Sequence, residues 1–313
     1  MRYIEKINTE ICKSLKKKDD TVVFGQNISL GSCLSGLTKN ISLIKNLDII
    51  NTTNCENSLA GFGFGLLMNG KNSIFFTKQL DFILLSLDQI VNTYNQIRLC
   101  KVKNSFTIFA IIVDSGFEGP QSRLNNLSDF GSMAWIDCYT ISTYEEANNV
   151  LNKHLFRPGF KIICVSQKKF NNEICQLSYS KVNKDRSIIQ YTVGESISLV
   201  SFNFAFEQAK EISKQLLQKN KTISLFSVSS VLNMDWSLII ESVKKTKRLI
   251  ILDDSRTIFK PYDNLVRKLE DLKIEYDSII FDKKPTLESL KPNKDDFNVD
   301  IRSILKKFSL NND

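Results

Sequence analysis

A single histidine, His154, stands in the 313 residues. A Ser-His-Asp or Cys-His nucleophile system, or a His-rich metal site, would have to be built on that one side chain. It lies in Asn152-Lys153-His154-Leu155-Phe156-Arg157-Pro158-Gly159, which reads as a helix end before a Pro-Gly turn, where a positive or polar residue suits the helix C-terminus. The seven cysteines are odd in number and widely spaced, with no Cys-x-x-Cys pair. Buried thiols in a reducing cytoplasm are expected, not zinc ligands or a disulfide frame. No metal ligand set is expected in this chain. Apolar runs such as Ile108 to Val113 are far too short to cross a bilayer, so no membrane partner is expected. Strong charge clustering is also missing. The net charge is +8, but the densest run, Lys16 to Lys18, is followed at once by Asp19 and Asp20. That is a solvated helix end, and no nucleic-acid partner is expected.

What is present alternates between short β-branched runs and helix-length amphipathic stretches. The N-terminus carries Ile4, Ile7, Ile11 and Leu15 at helical spacing, without the pattern of a secretory signal. Strands are expected at Thr21 to Phe24, Leu47 to Ile50, Ser73 to Phe76, Phe106 to Val113 and Phe160 to Val165. Helices are expected at Glu56 to Met68, Ile83 to about Cys100 and Tyr144 to His154. From about 171 to 195 the periodicity fades into polar residues, the pattern of a linker. Beyond it the alternation resumes, with strands at Ile197, Thr222, Arg248 and Ser278, and helices starting at Phe204, Trp236 and Asp263. After Pro285 one amphipathic segment, Ile301 to Phe308, is expected to dock on this second unit. Strands separated by helices imply an α/β protein of two doubly wound domains: residues 1–170 with a mainly parallel sheet, and a smaller one over 196–313.

The stretch from Asn54 to Arg98 carries the chemistry. Gly61, Gly63 and Gly65 invite a dinucleotide reading, but that fingerprint places its glycines in the turn directly after a strand. Here more than one helical turn separates Ile50 from Gly61. Gly61 and Gly65 are four apart, on one helix face, and permit close approach of another helix. Asn54 is a plausible cap and Asn69-Gly70 a stop. Glu56 sits in the first turn, where a carboxylate also meets the helix dipole favourably.

The run Cys55-Glu56-Asn57-Ser58-Leu59-Ala60-Gly61-Phe62-Gly63-Phe64-Gly65, followed by Asp81-Phe82 and Leu87-Asp88-Gln89-Ile90-Val91-Asn92, resembles the β subunits of thiamine-diphosphate-dependent 2-oxoacid dehydrogenases. Val243 to Ile250 is similar to the C-terminal domain those subunits share with transketolases. The resemblance implies a pyrimidine-binding domain followed by a transketolase-like C-terminal domain. It also implies that Glu56 hydrogen-bonds the aminopyrimidine ring nitrogen while Phe82 packs on the ring. A carboxyl there draws electron density from the exocyclic amine, which can then take the thiazolium proton. The family's Gly-Asp-Gly is absent, which implies that an α-type partner subunit holds the diphosphate and Mg²⁺, in an α2β2 assembly with the active site at the interface.

The chain departs from the family elsewhere. Asn125-Asn126-Leu127 stands in place of a His-Ser-Gln. Alternatively, Gly119-Pro120-Gln121-Ser122 puts Ser122 where transketolases have histidine. Gln26-Asn27 replaces an acidic pair, and Asp253-Asp254-Ser255 a Glu-rich segment. Gln26, Ser122 and Asn125 are therefore candidates near a substrate. The expected function is a β-type subunit acting on a 2-oxo acid by decarboxylation and acyl transfer. The alternatives are a split transketolase moving a two-carbon unit from a ketose, and a non-catalytic scaffold.

Overall fold

The computed structural model describes residues 1–119, 121–232, 234–283, 293–294 and 297–308. Pro120 and Pro285, named above, lie outside them. The chain opens with α1 (Tyr3–Leu15), whose Ile4, Ile7, Ile11 and Leu15 are buried. Strands β1 (Thr21–Gly25) and β2 (Leu47–Asn51) follow, then α2 (Glu56–Met68) and β3 (Asn72–Thr77). Helical winding then runs as a 3-10 turn over Leu80–Ser86, a π turn over Gln89–Thr93 and the short α3 (Tyr94–Ile97). A single α-helix from Ile83 was the expectation. The difference has a packing cause: Leu80, Ile83 and Ser86 are all buried, and side chains three apart eclipse in a 3-10 helix.

Strand β4 (Ser105–Ile112) is buried throughout, as its apolar run requires. It is followed by β5 (Gly116–Phe117), α4 (Leu127–Ala134), β6 (Asp137–Ile141), α5 (Tyr144–Lys153) and β7 (Gly159–Ser166). All six strands of the first sheet are parallel, in the order β2-β1-β3-β4-β7-β6. Period-two alternation splits β4 between two cores: Phe109 and Ile111 pack with α1 and α5, Phe106 and Ile108 with α2 and α4.

The polar stretch 171–195 is not structureless. It contains β8 (Lys181–Val182) and β9 (Ile188–Gln190), and β9 pairs antiparallel with β11 (Ile223–Val228). Between them come β10 (Ile197–Phe202) and α6 (Phe206–Leu217). After β11 the chain forms α7 (Ser237–Thr246), β12 (Arg248–Asp253), α8 (Asp263–Asp271), β13 (Asp277–Asp282), β14 (Asn293–Lys294) and α9 (Ile301–Lys307). The second sheet runs β13-β12-β10-β11-β9-β8. Ile304 and Phe308 of the C-terminal segment join the core beside α6, so that segment docks on the second unit.

The two units are stitched together backbone to backbone. Thr140 N–H donates to Ser229 (2.8 Å) and Val231 N–H to Cys138 (3.1 Å), covering the outer edge of β6. Nearby, the Thr143 hydroxyl meets Tyr191 OH at 2.7 Å. The buried Glu146 carboxyl receives Ser142 N–H (2.5 Å) and the Ser227 hydroxyl. His154 caps α5, but not as a charge. Its Nε2 lies 2.9 Å from the Asp185 carbonyl, its ring stacks on Tyr139, and burial pushes its pKa down to about 4. No described helix is long and apolar enough to cross a membrane.

Candidate functional site

The chain leaves β1 for β2 on one side and then returns to β3 on the other, so β1 and β3 flank a switch point of the parallel sheet. In open α/β sheets the crevice beyond the strands' carboxyl ends at such a point is where ligands bind. Gln26 follows β1 there, and Lys78 and Gln79 follow β3.

Two adjoining hollows occupy this edge. The smaller is a recess of about 10 Å³, room for one water, with Glu56, Phe82 and Gln26 in its wall beside Leu59 and Phe76. Glu56 is 7% exposed, and its carboxyl makes no hydrogen bond or ion pair with a described residue. The carboxyl opens on a recess of mixed lining, Gln26, Thr53 and Asn54 beside Leu59, Phe75, Phe76 and Phe82, and is free to meet an incoming donor or acceptor there. Phe82 is half-buried, presented by the 3-10 turn. Cys55, not Asn54, occupies the cap position of α2, and no side chain bonds the first turn.

The glycines act differently from the sequence expectation. The tightly packed one is Gly63, where a Cβ would overlap the Phe106 ring. Gly61 meets only the Gln89 side chain, and Gly65 faces open space. Gly63 thus sets the distance of α2 from β4 and, with it, the position of Glu56.

The larger hollow, about 460 Å³, shares Gln26 and Lys78 with the recess and extends to Ser122, Glu118 and Gln167. Ser122 is clamped by both ends of the Gln79 amide, at 2.8 Å and 3.0 Å. Asp81 accepts the backbone N–H groups of Arg123 (3.1 Å) and Leu124 (3.2 Å), and burial holds its carboxyl above the usual range against the pull of those donors. Gln79 and Asp81 therefore fix the loop that carries Ser122.

Of the candidate residues, Glu56, Phe82, Gln26 and Ser122 come together around these hollows. Asn125 does not. It is buried in the seam between the two units, donating to the Asp254 carbonyl (2.8 Å) and accepting from Asn203 (2.7 Å), because the loop turns inward after Leu124. Lys78, Gln79 and Gln167 were missed from the sequence. Their one sequence signal is position: Thr77-Lys78-Gln79 and Ser166-Gln167 directly follow buried parallel strands.

No family model matches the chain. It is 25% identical over 273 residues to the 2-oxoisovalerate dehydrogenase subunit beta, mitochondrial, of Dictyostelium discoideum, covering 80% of this chain and 70% of that protein. A rice chloroplastic pyruvate dehydrogenase E1 component subunit beta-3 is 22% identical over 260 residues, covering 80% of this chain and 65% of the relative. The Staphylococcus aureus pyruvate dehydrogenase E1 component subunit beta is 19% identical over 271 residues, covering 82% and 80%. In sequence the chain is thus similar to β subunits of 2-oxoacid dehydrogenases over about four fifths of its length. A solved structure described as a split gene transketolase, inactive beta4 tetramer, shares the fold at TM-score 0.73 and 13% identity, covering 97% of this chain and 96% of that one.

Proposed function

We propose that the chain is the β-type subunit of a heteromeric thiamine-diphosphate enzyme acting on a 2-oxo acid, and that it contributes the pyrimidine half of the cofactor site. The observation that carries this is the Glu56 carboxyl, on a largely buried residue and without a hydrogen bond to a described residue, beside Phe82 at the switch point of a parallel sheet. The donor set fits the group: an acid for a ring nitrogen, an aromatic face for the ring, and Leu59, Phe75 and Phe76 for its apolar edge. A recess this small supplies a wall and not a whole pocket, which supports a site completed by another chain. The absence of Gly-Asp-Gly from the sequence supports an α-type partner that holds the diphosphate and Mg²⁺, in an assembly with two copies of each.

When bound, thiamine diphosphate supplies a carbon nucleophile and an electron sink for cleaving a bond next to a carbonyl. Glu56 would hydrogen-bond the pyrimidine nitrogen, and Leu59, Phe76 and Phe82 would shelter that contact from bulk water. Ser122 and Gln26 would offer neutral hydrogen bonds to substrate. The free thiols support a reducing compartment such as cytoplasm. A second reading, a two-carbon transfer from a ketose, is favoured by the hydroxyl and amide lining of the larger hollow.

The test is co-expression with an α-type protein bearing Gly-Asp-Gly, followed by titration of thiamine diphosphate and Mg²⁺ against turnover of a 2-oxo acid. Turnover is expected only in the complex, with Glu56→Gln lowering kcat by at least about 100-fold. Undiminished turnover in that variant would overturn the role of Glu56. Tight cofactor binding by this chain alone would overturn the two-chain site.

A further inference from the structure

Lys78 is exposed, yet it sits between the buried Thr77 and Gln79 at the carboxyl end of β3. It borders both the recess of Glu56 and the larger hollow, the only cation among the described residues that line either. Its ammonium makes no hydrogen bond or ion pair with a described residue. The nearest acid in the larger wall, Glu118, is already engaged by the Ser115 hydroxyl (2.9 Å) and the Gln167 amide (3.3 Å). Everything else around the hollow that bears on a ligand is neutral, chiefly the amides of Gln26 and Gln79 and the hydroxyl of Ser122. The one histidine is sealed between Tyr139 and Asp185 and takes no part. A single ammonium at the rim of a hollow lined by amides and hydroxyls, with its one carboxylate, Glu118, already hydrogen-bonded to Ser115 and Gln167, can receive one anionic group, and its wall position puts that group next to the acid that would hold the cofactor.

We propose that Lys78 is the specificity-determining residue that binds the anionic group of the substrate, a carboxylate or a phosphate. This rests on the cofactor reading given above for its place beside the reacting centre, but not for the binding itself. The residue acts by binding, so its removal weakens affinity and spares the chemical step.

Two measurements test it. In the co-expressed complex, Lys78→Met is expected to raise KM for pyruvate at least about tenfold while changing kcat less than about threefold, with Lys78→Arg recovering most of the loss. In the full chain alone, reductive ¹³C-dimethylation keeps the lysine charges, and the signal that vanishes in Lys78→Arg identifies Lys78. That signal is expected to shift saturably on titration with pyruvate, with inorganic phosphate, or with both. A shift with pyruvate assigns a carboxylate; a shift with phosphate alone, together with a KM effect on fructose 6-phosphate, assigns a phosphorylated ketose. If neither anion moves the signal and KM is unchanged in Lys78→Met, the proposal is wrong. A complex that turns over no substrate while the signal still shifts would overturn the cofactor reading and leave the anion site standing.

Discussion

At the carboxyl ends of the first sheet, Gln26, Lys78 and Ser122 border open space, whereas at the matching ends of the second sheet the polar groups are closed over by neighbours. Asn203, just past β10, donates to both Asn125 (2.7 Å) and Asp254 (2.9 Å). Asp254 also accepts the Phe204 N–H (2.9 Å), and burial lifts its pKa to about 6. Asp253 takes both the N–H and the hydroxyl of Ser255. The same architecture thus yields a site in one unit and a joint in the other. The difference lies in whether buried polar groups find partners within the chain, since a satisfied network rigidifies and an unsatisfied group waits for a ligand.

The contrast predicts opposite outcomes for substitutions at the two edges. Glu56→Gln, at the open edge, should abolish turnover of the complex while changing unfolding free energy by less than about 1 kcal/mol, because no internal bond is lost. Urea unfolding of the full chain checks the second half. At the closed edge, Asn203→Ala removes the donor to Asn125 Oδ1 and one of the two donors to Asp254, and should cost about 2–3 kcal/mol by the same measurement. A smaller loss would mean that the seam is wetter than its geometry indicates.

Glu146 sharpens the comparison through pH. Burial raises its pKa to about 7 from 4.5, so the folded state holds the proton more tightly than the unfolded chain. Its contribution is fully present below about 4.5 and is lost as pH rises through 7. His154 runs the other way: its folded pKa of about 4 makes its contribution present above 6.5 and lost as pH falls through 4. Comparing wild type with Glu146→Gln cancels the histidine. The variant should gain on wild type by about 2 kcal/mol between pH 5 and 8 in a series of unfolding curves. A flat difference would remove the carboxyl from the pH response of the joint.

Helix α2 holds the remaining pair, with opposite signs. Gly63→Ala should destabilise by about 1–3 kcal/mol, because the methyl meets the Phe106 ring. Gly65→Ala, into open space, should stabilise by up to about 1 kcal/mol. Thermal melts of the two variants side by side give the sign directly.

The α/β alternation was legible because β4, β7 and β10 are buried on both faces and so are written as near-continuous apolar runs. The edge strands β2 and β13 were legible too, but other elements were not. Strand β6 and helix α4 went unseen, and β8 and β9 hide in a polar stretch because edge strands need only one apolar face. At the site, the neighbourhood of Glu56, Phe82, Gln26 and Ser122 was foreshadowed by the family resemblance. Lys78 was invisible because its meaning depends on strand order, which places residue 78 beside residue 26 across the switch point. Asn125 failed for the same reason in reverse: three positions from Ser122 in the chain, it turns into the seam.

The three-residue run Ser229 to Val231 lies along the outer edge of β6. Its effect reaches beyond holding two units together, because it is the last strand-like partner that the first sheet receives. A protein cut after residue 195 would carry that edge bare, and a bare edge pairs with the next copy it meets. The first unit, released by proteolysis or expressed alone, is therefore expected to aggregate, so the boundary visible in the sequence is a poor place to divide this chain.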